Sequence, residues 1–149
     1  MRDRVIDTSM YGPQNATKIA VAGSFPLEEA EQRAFFRLVR EREQEIPDLR
    51  FVFAVPNGGG RSKAEAGALK AQGVRRGVPD VCFPFPRGGY AGWWGELKRQ
   101  NGVPSDLSEE QAQWLLWLRE QGHRAGWHKG GLAMFADLME YLALPEARR

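Results

Sequence analysis

The chain has 149 residues, 42% of them hydrophobic, and a formal net charge of +2. This length fits one domain, and eight Phe and five Trp residues are enough for a real core, so disorder is expected only at the ends. The single cysteine, Cys82, excludes an internal disulfide framework, so we expect a reducing, cytoplasmic compartment. The sequence has no run of about 18 apolar residues that could span a membrane, so we expect no membrane partner.

The first half of the chain is predicted to be mainly helical. Residues 1–26 lack clear periodicity, and we interpret them as an N-terminal arm of uncertain structure before a domain over residues 27–149. A helix is predicted over residues 27–45, where apolar residues repeat at helical spacing and early acids suit the helix dipole. The segment LRFVFAVP is predicted as a short buried strand, followed by a glycine loop and an alanine-rich helix that ends at Gly73.

The second half predicts a hairpin followed by two more helices. The segment GVPDVCFPFPRGGYAGWWGELKRQ, residues 77–100, has two apolar arms around a glycine turn. A helix capped at Ser105 or Ser108 runs to about Gln121, then HRAGWH is a candidate strand, and a last helix ends before Pro145. This order predicts an α/β domain with a small mixed central sheet flanked by helices.

Two carboxylates and a lysine are predicted to meet at one end of the hairpin. Because side chains alternate along a strand, Glu96 and Lys98 point the same way. If the arms pair around residues 87–89, Asp80 comes close to Glu96. Two neighbouring carboxylates repel each other unless a cation lies between them.

A hard divalent cation would compensate this charge better than Lys98 alone. Mg²⁺ prefers oxygen ligands and often takes one or two carboxylates from the protein, which Asp80 and Glu96 would supply. Such a metal can bind a phosphate oxygen and activate water, and Lys98 would hold the attacking water. The alternative is that the two acids merely end strands and Lys98 pairs with one of them, and the spacing alone does not decide.

A basic block in the middle of the chain indicates a polyanionic partner. Between Arg61 and Arg99 there are eight basic and three acidic residues. Side chains of the glycine loop and of the segment after the second helix could contact a DNA backbone; these are Asn57, Arg61, Lys63, Arg75 and Arg76. A solvated surface and a plain flexible loop explain the same residues equally well.

The ordered motifs resemble the PD-(D/E)XK nuclease signature and, more narrowly, the virus-type replication-repair nuclease domain, VRR-NUC. The resemblance runs from about Leu27 to Leu142 and rests on EEAEQ, on PNGGGRSKAEAGALKAQGVRRGVPD, on ELK, on LSEEQ and on HKGG, in that order. It implies a restriction-endonuclease-like core and an Mg²⁺- or Mn²⁺-dependent phosphodiesterase acting on DNA. It further implies Asp80 and Glu96 as metal ligands, Lys98 as the catalytic lysine and the main-chain carbonyl of Leu97 as a further ligand.

The resemblance also implies an acid on the first helix and a role for Gln111. Glu28 is favoured as the acid because it lies one turn from Gln32, and Glu29 and Glu31 remain rivals. Gln111 either serves the catalytic site or completes a capping box with Ser108.

Family members suggest branched or Holliday-junction DNA as the substrate, a homodimer, and a phage origin with action in the host cytoplasm. A non-cleaving nucleic-acid-binding module and a non-specific nicking nuclease of phage replication or packaging are the alternatives.

One of Trp93 and Trp94 is predicted to be core, because adjacent strand residues face opposite sides. The other could meet a partner chain or DNA. Cys82 is interpreted as packing, and the two histidines lack metal-ligand spacing. One helix face is predicted to be core and comprises Trp114, Leu115, Trp117 and Leu118.

Overall fold

The computed structural model describes residues 25–56 and 62–147. Residues 1–24 of the predicted arm lie outside these ranges, as do Asn57 and Arg61. The helices of the described ranges are α1 (Glu28–Arg42), α2 (Lys63–Ala71), α3 (Glu109–Glu120) and α4 (Gly131–Leu142). Their strands are β1 (Phe53–Ala54), β2 (Val81–Phe83), β3 (Trp93–Lys98) and β4 (Arg124–Lys129). No helix in these ranges has the length and hydropathy needed to cross a bilayer.

The strands form one mixed sheet in the order β1, β2, β3, β4. β1 and β3 each run antiparallel to β2, and β4 runs parallel to β3. A parallel neighbour requires a crossover, which α3 provides between β3 and β4. The predicted fold class, a small mixed sheet flanked by helices, is confirmed.

A tight turn joins the two arms of the hairpin, and the β2–β3 ladder lies one residue out of step with it. Arg87 and Tyr90 exchange main-chain hydrogen bonds of 3.2 and 2.8 Å around Gly88 and Gly89. The two glycines have φ of +56° and +88°, which a two-residue hairpin loop requires and which residues with a Cβ rarely adopt. Val81 pairs with Gly95 in the ladder, so the next positions along the two arms are Asp80 and Glu96.

The sheet is packed on both faces. Trp93 and Leu97 of β3 are buried in the main core with residues of α1 and α4, among them Phe35 and Phe135. Trp94 points to the opposite face and packs on a smaller cluster below α3 that contains Leu115, Leu118 and Ala125. Glu96 and Lys98 follow Trp94 at strand spacing, so they also face α3.

Two expectations about burial are wrong. The segment LRFVFAVP begins in a 3₁₀ helix, Pro47–Phe51, and its only strand residues are the two exposed residues of β1. Leu49 is buried because it points from the 3₁₀ helix into the core, whereas β1 is an edge strand that pairs only with β2. Trp117 is 50% exposed because it lies on the side of α3 opposite to Leu115.

Candidate functional site

Glu96 and Lys98 place two opposite charges in the interior at the end of β3. Their exposed fractions are 1% and 5%. Lys98 Nζ lies 3.3 Å from Glu96 Oε1, so the two form an ion pair. Buried charges are costly unless they are paired and hydrogen-bonded, so the surroundings of this pair are informative.

Gln111 connects the pair to α3. Its Nε2 donates to Glu96 Oε1 at 2.5 Å, and its Oε1 accepts from Lys98 Nζ at 3.1 Å. The same Oε1 accepts from the main-chain N–H of Ser108 at 2.9 Å, and Ser108 Oγ accepts from Gln111 N at 3.1 Å. The capping box and the contact with the site therefore coexist, although the sequence offered them as alternatives.

Asp80 lies where β2 begins, beside the same end of β3. Its Oδ2 accepts from the main-chain N–H of Leu97 at 2.7 Å, and its own carbonyl accepts from Val55 N at 2.8 Å. The Asp80 side chain thus takes the place of a ladder partner just beyond the last paired residues. The register and this bond bring Asp80 and Glu96 together as the sequence predicted.

The acids of α1 have separate environments. Glu28 Oε1 lies 3.8 Å from Lys98 Nζ, and its side chain is half exposed. Glu29 points to solvent and pairs with Arg33 at 2.6 Å. The structure therefore brings Glu28, and not Glu29, to the buried pair.

Glu31 has a structural position that the sequence interpretation missed. Its Oε2 accepts from the main-chain N–H of Gly131 at 2.8 Å, and its Oε1 accepts from Gln100 Nε2 at 2.7 Å. A buried carboxylate thus caps the first turn of α4 and holds α1 against the residues that follow β3. The available signal was its place in the stripe Glu31, Phe35, Val39, the buried residues of α1.

The HKGG motif is explained by the same contact. Gly130 has a φ of +86°, and a Cβ on Gly131 would lie 2.3 Å from the carbonyl oxygen of Glu31. Only glycine permits this approach of α1 to the start of α4.

The Glu96 carboxyl is electrostatically strained. Its pKa is raised from 4.5 to about 8, because burial and the nearby Asp80 and Glu28 raise it by more than Lys98 lowers it. Its second oxygen, Oε2, is buried and has no hydrogen-bond partner among the described residues. This carboxylate would gain from an additional positive charge.

The donor set suits a hard divalent cation. Glu28, Asp80 and Glu96 offer carboxylate oxygens, and the unpartnered Oε2 of Glu96 is available as a ligand atom. Within the described ranges no three His, Cys, Asp or Glu side chains are grouped tightly enough to form a metal site by themselves. One or two carboxylates completed by a main-chain carbonyl, water and substrate oxygens are typical of Mg²⁺.

Three of the residues predicted to bind DNA have described positions, and all three lie on the surface. Lys63 is exposed in the first turn of α2, and Arg75 and Arg76 are exposed in the segment that leads to Asp80. The carbonyl of Arg76 accepts from Trp114 Nε1 at 3.1 Å, which fastens this segment to α3. A role in DNA binding stays a prediction for all three.

Comparison with known proteins identifies the fold. No protein-family model and no curated protein matches the sequence. A solved structure described as a "VRR_NUC domain protein" matches with a TM-score of 0.67 and 20% identity, over 83% of this chain and 93% of that one. The chain has the VRR-NUC fold. In this VRR-NUC fold the GVPD and ELK segments lie side by side, and the LSEEQ helix supplies Gln111 to the same place.

Proposed function

We propose that the chain is a divalent-metal-dependent deoxyribonuclease that hydrolyses phosphodiester bonds in branched DNA such as a Holliday junction. One observation carries the proposal: the Lys98 ammonium lies between Glu96, Glu28 and Gln111, next to a buried carboxylate oxygen without a partner among the described residues. A buried salt bridge is favourable only when further hydrogen bonds satisfy its remaining polar atoms, and none of the described residues does this for Glu96 Oε2.

The residues divide into metal-holding and proton-handling groups. Asp80, Glu96 and Glu28, with the main-chain carbonyl of Leu97, would hold Mg²⁺ or Mn²⁺. A bound divalent ion supplies Lewis-acid stabilisation of the negative charge that develops on the phosphate.

Lys98 acts on the attacking water. Its ammonium would donate a hydrogen bond to that water and stabilise the hydroxide electrostatically as the proton passes to bulk solvent. The hydroxide oxygen would bond to phosphorus as the bond to the leaving oxygen breaks, and that oxygen would take a proton from solvent. Gln111 fixes the Lys98 ammonium through Oε1 and the Glu96 carboxylate through Nε2, so both groups are positioned before substrate binds.

The finer substrate assignment rests on the resemblance to VRR-NUC proteins. A homodimer would place two such sites on the two strands of a symmetric junction. The exposed basic residues Lys63, Arg75 and Arg76, with Asn57 and Arg61, would contact the phosphate backbone. A phage-encoded enzyme would act in the cytoplasm of its host.

Cleavage assays test the proposal. We expect the wild-type chain to cut four-way junctions faster than flaps, linear duplex or single strands, with Mg²⁺ or Mn²⁺ and not with EDTA. Asp80→Ala, Glu96→Ala and Lys98→Ala should each lower the rate by roughly a hundredfold or more while DNA binding persists. Glu29→Ala is the control, because Glu29 is an exposed acid of α1 that pairs with Arg33 and not with the buried site.

Three outcomes would each refute a part of the proposal. A wild-type cleavage rate for Glu96→Ala in excess Mg²⁺ would refute the assignment of the catalytic site. Binding of branched DNA without cutting by any divalent ion would leave a binding module. Equal rates on all four DNA structures would leave a non-specific nuclease.

A further inference from the structure

A cleft opens on the outward side of α3, close to the proposed catalytic residues. Its volume is about 330 Å³, which lies at the lower end of the range for small-molecule sites. It combines two indole rings with one cation, two carboxylates and an amide, and we call it the Trp117 cleft. Its lining residues are Arg76, Glu109, Glu110, Gln113, Trp114 and Trp117.

The aromatic wall of the Trp117 cleft is held in place on one side only. Trp114 donates from Nε1 to the Arg76 carbonyl, and its ring packs partly on the cluster below α3. Trp117 meets Trp114 edge to face, with ring centroids 5.9 Å apart and planes at 76°. Trp117 itself is 50% exposed and therefore offers aromatic surface to a ligand.

The same two chain segments carry the lining of the cleft and some of the proposed site residues. Arg76 lies four residues before Asp80, and the lining residues Glu110 and Gln113 flank Gln111 in α3. A Cβ on Gly77 would lie 2.6 Å from the main-chain carbon of Glu110, so this segment packs directly against the first turn of α3. The segment before Asp80 and the first turn of α3 therefore form the cleft and also carry Asp80 and Gln111.

We propose that the Trp117 cleft binds a nucleotide that is unpaired at the branch point of the DNA substrate, an inference that rests on the proposed nuclease function. The base stacks on Trp117, as bases stack on aromatic side chains in single-strand-binding proteins. Gln113 and Glu110 hydrogen-bond to the base edge, and Arg76 contacts the phosphate.

The charges of the cleft favour this orientation. Glu109 and Glu110 repel phosphate, so a neutral base enters beside them while the phosphate stays on the Arg76 side. The pKa of Glu110 is lowered by hydrogen bonds from its own main chain and from Ser108, and by the nearby Arg76. Its ionised carboxylate can therefore accept hydrogen bonds from the amino groups of a base.

Binding without cleavage tests the inference. Kd is measured by fluorescence anisotropy in EDTA for a short, fully paired duplex and for the same duplex with a single-stranded flap. Trp117→Ala should weaken flap binding by roughly tenfold or more and leave duplex binding unchanged. Trp117→Phe should retain most of the affinity.

Leu116→Ala is the matched control, because Leu116 is 48% exposed on the same helix and does not line the cleft. Trp117 is a surface residue, so circular dichroism should show that its variants are folded.

The possible outcomes separate this inference from the nuclease proposal. Equal weakening on duplex and flap, no weakening, or Trp117-dependent binding of an arginine-rich peptide in place of DNA would overturn the cleft assignment and leave the nuclease standing. Flap-specific loss in Trp117→Ala would support the cleft even if the wild-type chain cut no DNA with any metal.

Discussion

The ionisation of Glu96 should make the fold less stable as pH rises. Burial and the nearby Asp80 raise the pKa of this carboxyl to about 8 in the folded chain. In the unfolded chain its pKa is the ordinary 4.5. The stabilising contribution of the protonated form is fully present below pH 4.5 and is lost as pH rises to about 8. Glu96→Gln mimics the neutral acid at every pH and should remove this dependence.

The expected effect is large enough to measure. A pKa difference of one unit is worth about 1.4 kcal/mol, so the rise from 4.5 to about 8 corresponds to a destabilisation of up to roughly 5 kcal/mol above pH 8. For a chain of 149 residues, each kcal/mol shifts Tm by about 2–4 °C. The Tm of the wild type relative to Glu96→Gln should therefore fall by roughly 10 °C or more between pH 5 and pH 9.

The same pair of proteins reports metal binding without any activity. A divalent cation at the site would favour ionised Glu96, so Mg²⁺ or Mn²⁺ at a hundred times Kd should stabilise the wild type by about 2.7 kcal/mol. Glu96→Gln should gain much less. Thermal unfolding followed by circular dichroism at a series of pH values, with EDTA or with metal, measures both effects.

Two results would refute this reasoning. Parallel Tm profiles of wild type and Glu96→Gln across pH would mean that Glu96 ionises as an ordinary surface acid. Equal stabilisation of both proteins by metal would place the ion elsewhere. Glu29→Gln is the control, because Glu29 is exposed and its loss should leave the wild-type profile unchanged.

Three further predictions concern the packing of α1 against α4, the glycine positions and the affinity for DNA. Glu31→Ala should lower the free energy of unfolding by about 2–3 kcal/mol, because it leaves the N–H of Gly131 without its charged partner; Glu31→Gln should lose less, as urea titration would show. Gly131→Ala should lower Tm through the collision with Glu31, whereas Gly67→Ala, with open space around it, should raise stability by up to about 1 kcal/mol. DNA affinity should fall steeply as salt rises from low to physiological concentration, whichever DNA structure is used.

The site was predictable where its geometry depends on local sequence. Two glycines between two apolar arms predict a tight turn, and that turn brings the start of the first arm beside the end of the second. The position of Asp80 opposite Glu96 depends in addition on the ladder, which is one residue out of step with the turn, because Arg87 pairs with Tyr90 but Val81 pairs with Gly95. The common direction of Glu96 and Lys98 follows from strand alternation alone.

The rest depended on contacts between distant parts of the chain. Glu31 and Gly131 are a hundred positions apart, so no local pattern shows that one caps the helix that begins at the other. β1 failed as a buried strand because burial depends on its edge position in the sheet, which the segment itself does not encode. Trp117 was assigned to the core because an indole ring is apolar, although apolar residues also lie on surfaces.

Gln111 shows why a capping motif and a functional residue need not compete. A carboxylate at this position could only accept, but an amide has an acceptor oxygen and two donor hydrogens. The oxygen accepts from Ser108 N and from Lys98 Nζ, while the nitrogen donates to Glu96. The bond that starts α3 therefore also fixes the side chain that orders the buried ion pair. Because the cap forms with the helix, Lys98 and Glu96 are held in place by the fold itself, before any metal or DNA is bound.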